Sequence, residues 1–432
     1  MLDDPIAFLR DERWTVGILG LGYVGLPIAV AAARKGLAVV GFDVAARVVD
    51  GLTAGRSHVG DVDDDALGAA LDAGMTVTGD PAALADADVL LVCVPSPLGR
   101  NRQPDTSYIE AAADTVASVA RPGQVVALES TTYPGSTEDA FVPAVERAGL
   151  TLDEDVWVAF SPERVDPGNQ LGPSDIPKVV GGVTPRSGEV AAAAYGRLVS
   201  KVHVVSSARA AELTKLLENT YRAVNIALVN ELAQLAHELD IDIWEVIEAA
   251  ATKPFGFQAF APGPGVGGHC IPLDPQYLAW RARELKFPTR FIDLAQSVNE
   301  HMPIYVVDRL TQLLNDRGLP LRGTRILALG IAYKRDVADD RESPALDVLR
   351  LLALRGADIG VLDPHVPTDR IAQHGYVAVG GDDPLADWDL ALVLTDHTAV
   401  DYARVAGEVG LVFDTRDAYR TRGLAGDAVV AL

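Results

Sequence analysis

From Thr15 to Val44 the chain reads TVGILGLGYVGLPIAVAAARKGLAVVGFDV, and few folds can be built on that order. A short apolar run ends in Gly20-Leu21-Gly22-Tyr23-Val24-Gly25. An alanine-rich segment follows, and a second apolar run closes on Asp43. The glycines let the chain turn sharply from strand to helix and let a pyrophosphate approach the helix N-terminus closely. An acid about 20 positions further on accepts hydrogen bonds from an adenosine ribose and repels a 2′-phosphate, which favours NAD over NADP. The pattern predicts a βαβ unit with a dinucleotide seat at Gly20, Leu21, Gly22, Tyr23, Val24, Gly25 and Asp43. A purely structural βαβ unit is the plainer reading of the same residues.

Further apolar runs, Asp88 to Pro97, Gln124 to Gly135 and Val156 to Val165, each end in polar, proline or glycine residues. Ligands of open α/β sheets bind at such strand ends. Hydrophobic residues make up 49% of the chain and aromatics only 6%, a balance that suits buried parallel strands. The 432 residues suffice for two or three domains. A net charge of −23 argues against nucleic acid or an anionic membrane as partner. An anionic ligand must then be held by local donors and a few placed cations. The N-terminal MLDDPIAFLRDERW lacks the basic n-region of a signal peptide. The longest apolar stretch, Val16 to Ala33, is broken by glycines and Pro27 and fits a strand plus a helix. These features predict a soluble, cytoplasmic protein.

With two cysteines, a disulfide framework and a four-thiolate metal site are excluded. Cys93 lies within an apolar run and reads as inert core. Cys270 lies in PGPGVGGHCIPLDP, Pro262 to Pro275, a loop that four prolines stiffen and whose four glycines let backbone approach something closely. A thiol on such a loop, with His269 before it and Asp274 after it, suits a nucleophile. A tight turn around a small buried cysteine fits these residues equally well. Adjacent His269 and Cys270 with no second ligand pair are poor geometry for zinc, so no metal is expected.

Ala208 to Leu239 contains no glycine or proline and shows helical spacing, which predicts one long helix. Lys215 and Asn219 share a face of it, where a solvated surface is the commoner role. Helices are also expected near Ile241 to Ala251, Tyr277 to Leu285 and Phe291 to Leu314. A second βαβ-like unit starts at Arg325 without the glycine fingerprint, with Lys334, Arg335 and Arg341 at its strand end. The expected fold is α/β. Two Rossmann-like doubly wound domains, 1–206 and 321–432, are joined by a central all-helical segment, 207–320.

Six motifs occur in order: GLGYVGLP, ESTTYPGST, FSPERVDPG, AELTKLLENTYRAVNIALVNELA, PGPGVGGHCIPLDP and AYKRDVADDRES. On them the chain, from about Trp14 to Val366, resembles the UDP-glucose/GDP-mannose dehydrogenase family of nucleotide-sugar 6-dehydrogenases. The resemblance implies a four-electron oxidation of a sugar C6 alcohol to a carboxylate with two NAD. Cys270 would trap the aldehyde as a thiohemiacetal that is oxidised to a thioester, a division of one hard step into easier ones. Lys215 and Asn219 would stabilise oxyanions at C6. Asp274 would hold Lys215 or a water, Glu163 would act as the base for water, and Thr132 would position that water. Cofactor contacts implied by the same likeness are the Gly20 to Gly25 turn, Asp43, Pro95, Ser96, Thr132 and Arg341. Substrate contacts are Glu163, Arg164, Lys215, Asn219, Arg222, Gly263, Gly265, Gly267 and Lys334. A homodimer or higher homo-oligomer through the long helix is expected, because its apolar stripe is longer than one small domain needs.

Members that act on UDP-glucose show GGSCF and a lysine before the aspartate. Here GGHCIPLD stands instead, with TKPFGFQAF upstream. This spelling resembles the branch acting on UDP-N-acetylhexosamines, with UDP-N-acetylglucosamine first, UDP-N-acetylmannosamine second and UDP-glucose third. Two other classes compete. Dehydrogenases of the 3-hydroxyacid or 6-phosphogluconate type also carry a Lys-x-x-x-Asn pair but need no cysteine. A non-catalytic NAD-binding scaffold would form no NADH.

Overall fold

A computed structural model of the chain describes residues 4–11, 13–99, 103–164, 175–268 and 270–432. It divides into two compact units, Met1–Glu218 with Gln276–Phe287 and Asn219–Pro275 with Pro288–Leu432.

The first unit holds eight strands: β1 (Thr15–Leu19), β2 (Ala38–Phe42), β3 (Thr76–Thr78), β4 (Val89–Val92), β5 (Gln124–Leu128), β6 (Val156–Phe160), β7 (Lys178–Gly182) and β8 (Val202–Val205). They lie in the order β3-β2-β1-β4-β5-β6-β7-β8. The first six are parallel, and β7 then reverses against β6. Alternate residues serve opposite faces, as strand geometry requires. Val16, Ile18, Val89 and Leu91 pack with Ile28, Ala29 and Tyr195 on one side. Leu19, Leu90 and Val92 pack with Ile109, Val116 and Phe141 on the other. Burial on both faces is why these strands read as near-continuous apolar runs.

The second unit repeats the design in six parallel strands: β9 (Arg325–Leu329), β10 (Asp358–Leu362), β11 (Val377–Ala378), β12 (Leu390–Val393), β13 (Val412–Asp414) and β14 (Val429–Ala431). Their order is β11-β10-β9-β12-β13-β14. Both sheets therefore change direction of winding beside their first strand, where ligands of such folds bind.

The long helix spans Ala208–Glu238, close to its expected limits. The middle segment is shared by the two units. Ala208 and Ala211 are buried in the core of the first sheet. Met302, Val306, Leu310 and Leu314 of the helix Arg290–Asp316 are buried in the core of the second. The helix expected from Tyr277 begins earlier, at Cys270, and runs to Glu284. Pro272 falls in its first turn, where backbone N–H groups have no helical acceptor and a proline is tolerated. No described helix is long and apolar enough to cross a membrane.

Candidate functional site

In the first unit the glycine turn joins β1 to the helix Gly25–Arg34. Gly20 has φ +94°, and a Cβ there would lie 2.5 Å from the Cys93 carbonyl oxygen. A Cβ on Gly25 would lie 1.9 Å from the Gly20 oxygen. Both glycines are thus demanded by the chain's own packing. Gly22 differs, since a Cβ there meets nothing within 4 Å. Its open side is where a pyrophosphate can approach the helix, whose N-cap residue Val24 supplies no side-chain acceptor. Asp43, just past β2, accepts N–H bonds from Leu21 at 3.0 Å and Ala45 at 2.8 Å. Tyr23 and Pro95 are exposed, and Ser96 is buried beyond β4. Thr132, beyond β5, has a buried hydroxyl with no hydrogen-bond partner among the described residues, a vacant donor and acceptor at the same sheet edge. The residues present fit a dinucleotide.

Glu163 lies at that edge too, just past β6, and is clamped. Lys178 Nζ donates to Glu163 Oε2 at 3.0 Å and to Glu129 Oε2 at 2.5 Å, and Tyr195 donates to Glu129 Oε1 at 2.6 Å. Burial works against the Lys178 charge, but Glu129 and Glu163 outweigh it and hold the ammonium above its ordinary range. None of Glu129, Lys178 and Tyr195 was singled out from the sequence. Their signal was weak: one acid and one lysine at the ends of apolar runs. Arg164 forks onto Glu218, its Nη2 2.6 Å from Oε1. Lys215 is buried on the long helix.

In the second unit Cys270 stands exposed as the first residue of its helix, not on the loop expected for it. Asp274, four residues on and therefore on the same face, is buried and accepts from Asn219 Nδ2 at 2.5 Å. The carboxylate expected to hold Lys215 or a water is thus bonded to Asn219. His269 lies outside the described residues.

The glycines of the preceding loop do permit a close approach, and it is the chain itself that makes it. A Cβ on Gly263 would sit 2.5 Å from Arg416 Nη1, one on Gly265 2.9 Å from Pro344, and one on Gly267 2.7 Å from Pro344. Arg416, past the end of β13, escaped the sequence reading although DTRD ends an apolar run as the other strand ends do. Its Nε donates to the Leu394 carbonyl at 2.9 Å, and burial pushes its guanidinium down to about 10. Arg222 is exposed. Lys334 and Arg341 follow β9. Arg341 forks onto Asp339 at 2.6 Å, and Arg335 pairs with Asp396.

Sequence models of the UDP-glucose/GDP-mannose dehydrogenase family match this chain domain by domain. The NAD binding domain matches residues 14–199, the central domain 209–301 and the UDP binding domain 327–421. The last carries the likeness past Val366. An NDP-N-acetyl-D-galactosaminuronic acid dehydrogenase from Ralstonia nicotianae is 35% identical over 95% of this chain and 97% of its own. A UDP-N-acetyl-D-glucosamine 6-dehydrogenase from Pseudomonas aeruginosa is 36% identical over 84% of this chain and 86% of its own. The solved structure of a UDP-D-ManNAc dehydrogenase from Pyrococcus horikoshii superposes with a TM-score of 0.83 at 31% identity, covering 96% of this chain and 97% of that one.

Proposed function

The chain belongs to the UDP-glucose/GDP-mannose dehydrogenase family, and from that premise we propose that it oxidises C6 of UDP-N-acetylglucosamine to the uronic acid through a Cys270 thioester. NAD is its cofactor. When bound over Gly22 and beside Asp43, it supplies the hydride acceptor, twice per product.

The observation that carries the cysteine chemistry is the bond from Asn219 to Asp274. It ties the Lys-x-x-x-Asn helix to the helix that opens with Cys270, and the thiol is exposed one turn from the buried carboxylate. Cys270 Sγ adds to the C6 aldehyde, and the aldehyde oxygen takes up the negative charge. Asn219 donates a hydrogen bond to that oxygen. Lys215 on the same helix face offers an ammonium, which a buried position makes a strong stabiliser of developing negative charge. After oxidation to the thioester, Glu163 takes a proton from water, which attacks the acyl carbon and expels the Cys270 thiolate. Thr132 orients that water. Lys334 and Arg416 suit the nucleotide phosphates.

The spelling GGHCIPLD, with Leu273 where a lysine would mark the UDP-glucose enzymes, supports an N-acetylated sugar. An NADH assay across UDP-GlcNAc, UDP-ManNAc, UDP-GalNAc and UDP-glucose tests this, with the fastest turnover expected on UDP-GlcNAc. Preference for UDP-glucose would overturn the sugar and leave the chemistry standing. Cys270→Ala is expected to abolish multiple-turnover acid formation, and undiminished acid formation would end the thioester reading. Leu228, Leu232, Leu235 and Leu239 recur at helical spacing and are 42–58% exposed, a stripe suited to a second copy of the chain. A monomer in sedimentation at micromolar concentration would refute that dimer.

A further inference from the structure

We infer that Lys178 is a positioning residue: braced by Glu129 and Tyr195, it sets the place and charge of the Glu163 carboxylate. The inference rests on the reading of Glu163 as the base that activates water.

In the first sheet β1, β2, β4, β5 and β6 all run one way, so their carboxyl ends share an edge, and Glu129 and Glu163 follow β5 and β6 there. A lysine at the start of a parallel strand would sit at the opposite edge. Because β7 is antiparallel to β6, its first residue, Lys178, comes to the same edge as the two acids. Lys178 and Glu129 side chains are 7% and 0% exposed, and Glu163 is 13% exposed. Only the last member of the relay faces outward.

Two carboxylates around one buried ammonium are a costly way to stabilise a fold, since desolvation offsets much of the attraction. Such a group does fix a geometry. Glu163 needs fixing, because a cavity lined by Ile28, Ala31, Leu198 and Val199 opens onto the same three charges. Among the described ionisable groups near it are Cys93, Tyr195 and Arg164, whose guanidinium grips Glu218 while its backbone N–H donates to Glu163. Burial, reinforced by Glu129, keeps the Cys93 and Tyr195 protons in place, so neither changes charge in the working range. Lys178 is a cation bonded directly to Glu163, and Glu129 shares its charge.

The test is kcat against pH for the full chain with NAD and whichever of the four UDP sugars it oxidises fastest. Glu163→Gln should lose about 100-fold in kcat, as removal of a general base does. Glu129→Gln leaves the Lys178 charge undivided on Glu163, so the acid limb of the profile should move down by about one pH unit. Lys178→Met should move it up by about as much and lower kcat while KM for the sugar stays within about twofold. Lys178→Arg should return the limb toward wild type. General damage to the fold would not move the limb in opposite directions. If Lys178→Met does not fold, the isosteric Glu129→Gln carries the test alone. Should Glu163→Gln turn over normally, the base reading falls and the inference with it. Should Glu163→Gln be inactive while the limb stays fixed in Glu129→Gln, or moves upward, the base reading stands and the role of Lys178 is refuted.

Discussion

The two sheets repeat one strand order and one turn, yet they use the acid at the end of their second strand in opposite ways. At the first turn a Cβ on Gly20 would strike the Cys93 carbonyl. At the second, Gly330, with φ +79°, a Cβ would lie 2.5 Å from the Thr395 side chain. The backbone solution is the same, a left-handed glycine where the first strand passes its neighbour. Asp43 accepts two backbone N–H bonds and keeps capacity for a ribose. Asp363 accepts N–H bonds from Ile331, Ala332, His365 and Val366 and a bond from His397 at 3.2 Å. The second carboxylate is saturated. His397 is likewise engaged at both ring nitrogens, since Asp336 N–H donates to Nδ1 at 2.9 Å. A shared fold thus leaves one acid with open acceptor capacity and commits the other to tying together the loops after β9, β10 and β12.

The sharpest way to break this comparison is to remove both acids. Asp363→Ala strands several buried donors and should cost about 4 kcal/mol in urea unfolding. Asp43→Ala should cost under about 1 kcal/mol, weaken NAD binding and relax discrimination against NADP. Equal stability losses would mean that the two acids do one job.

The glycines give the next largest contrast. Gly20→Ala and Gly330→Ala should each cost about 2 kcal/mol or more, from positive φ and collision. Gly22→Ala should leave the melting temperature within about 2 °C but raise the NAD Kd about tenfold. A destabilised Gly22→Ala with intact NAD binding would remove the assigned opening over the turn.

Acid should separate the two units more gently. Burial opposes ionisation of Asp363, but the hydrogen bonds from His397, Val366 and Ile331 outweigh it and hold the carboxyl well below its usual range. Its contribution is full above the unfolded value of about 3.9 and fades as the pH falls below it toward the folded value. Glu212 in the first unit runs the other way. Burial raises its value, although Thr137 and Gly135 donate to it. Its contribution is greatest at low pH and is lost as the pH rises past about 4.3. Hydrogen exchange at pH 5 and pH 3 should show protection falling first in β9, β10 and β12. Earlier loss in β1, β4 and β5 would reverse the assignment.

Much of the fold was legible because periodicity and glycine placement are local. The turn at Gly20, the long helix from Ala208 and the second βαβ unit at Arg325 each need only neighbouring residues to be recognised. The start of the cysteine helix was less legible. Pro272 and Pro275 read as loop signals, yet Pro272 falls in the tolerant first turn and Pro275 stands inside the helix, a placement that only the fold decides. Arg416 and the Glu129–Lys178 pair were missed because nothing in their local sequence distinguishes them from ordinary strand ends.

By itself the sequence determined the two winding units, NAD as the cofactor and the family to which the chain belongs. Tertiary structure alone decided which charges meet. Asp274 bonds Asn219, Asp363 is saturated by the loops after β9, β10 and β12, and Lys178 reaches Glu163 because the last two of the eight strands run backwards. The reason is physical: strand and helix patterns depend on residues a few positions apart. Ion pairs and saturated carboxylates depend also on strand order, strand direction and helix packing, which bring together residues as far apart as Asn219 and Asp274.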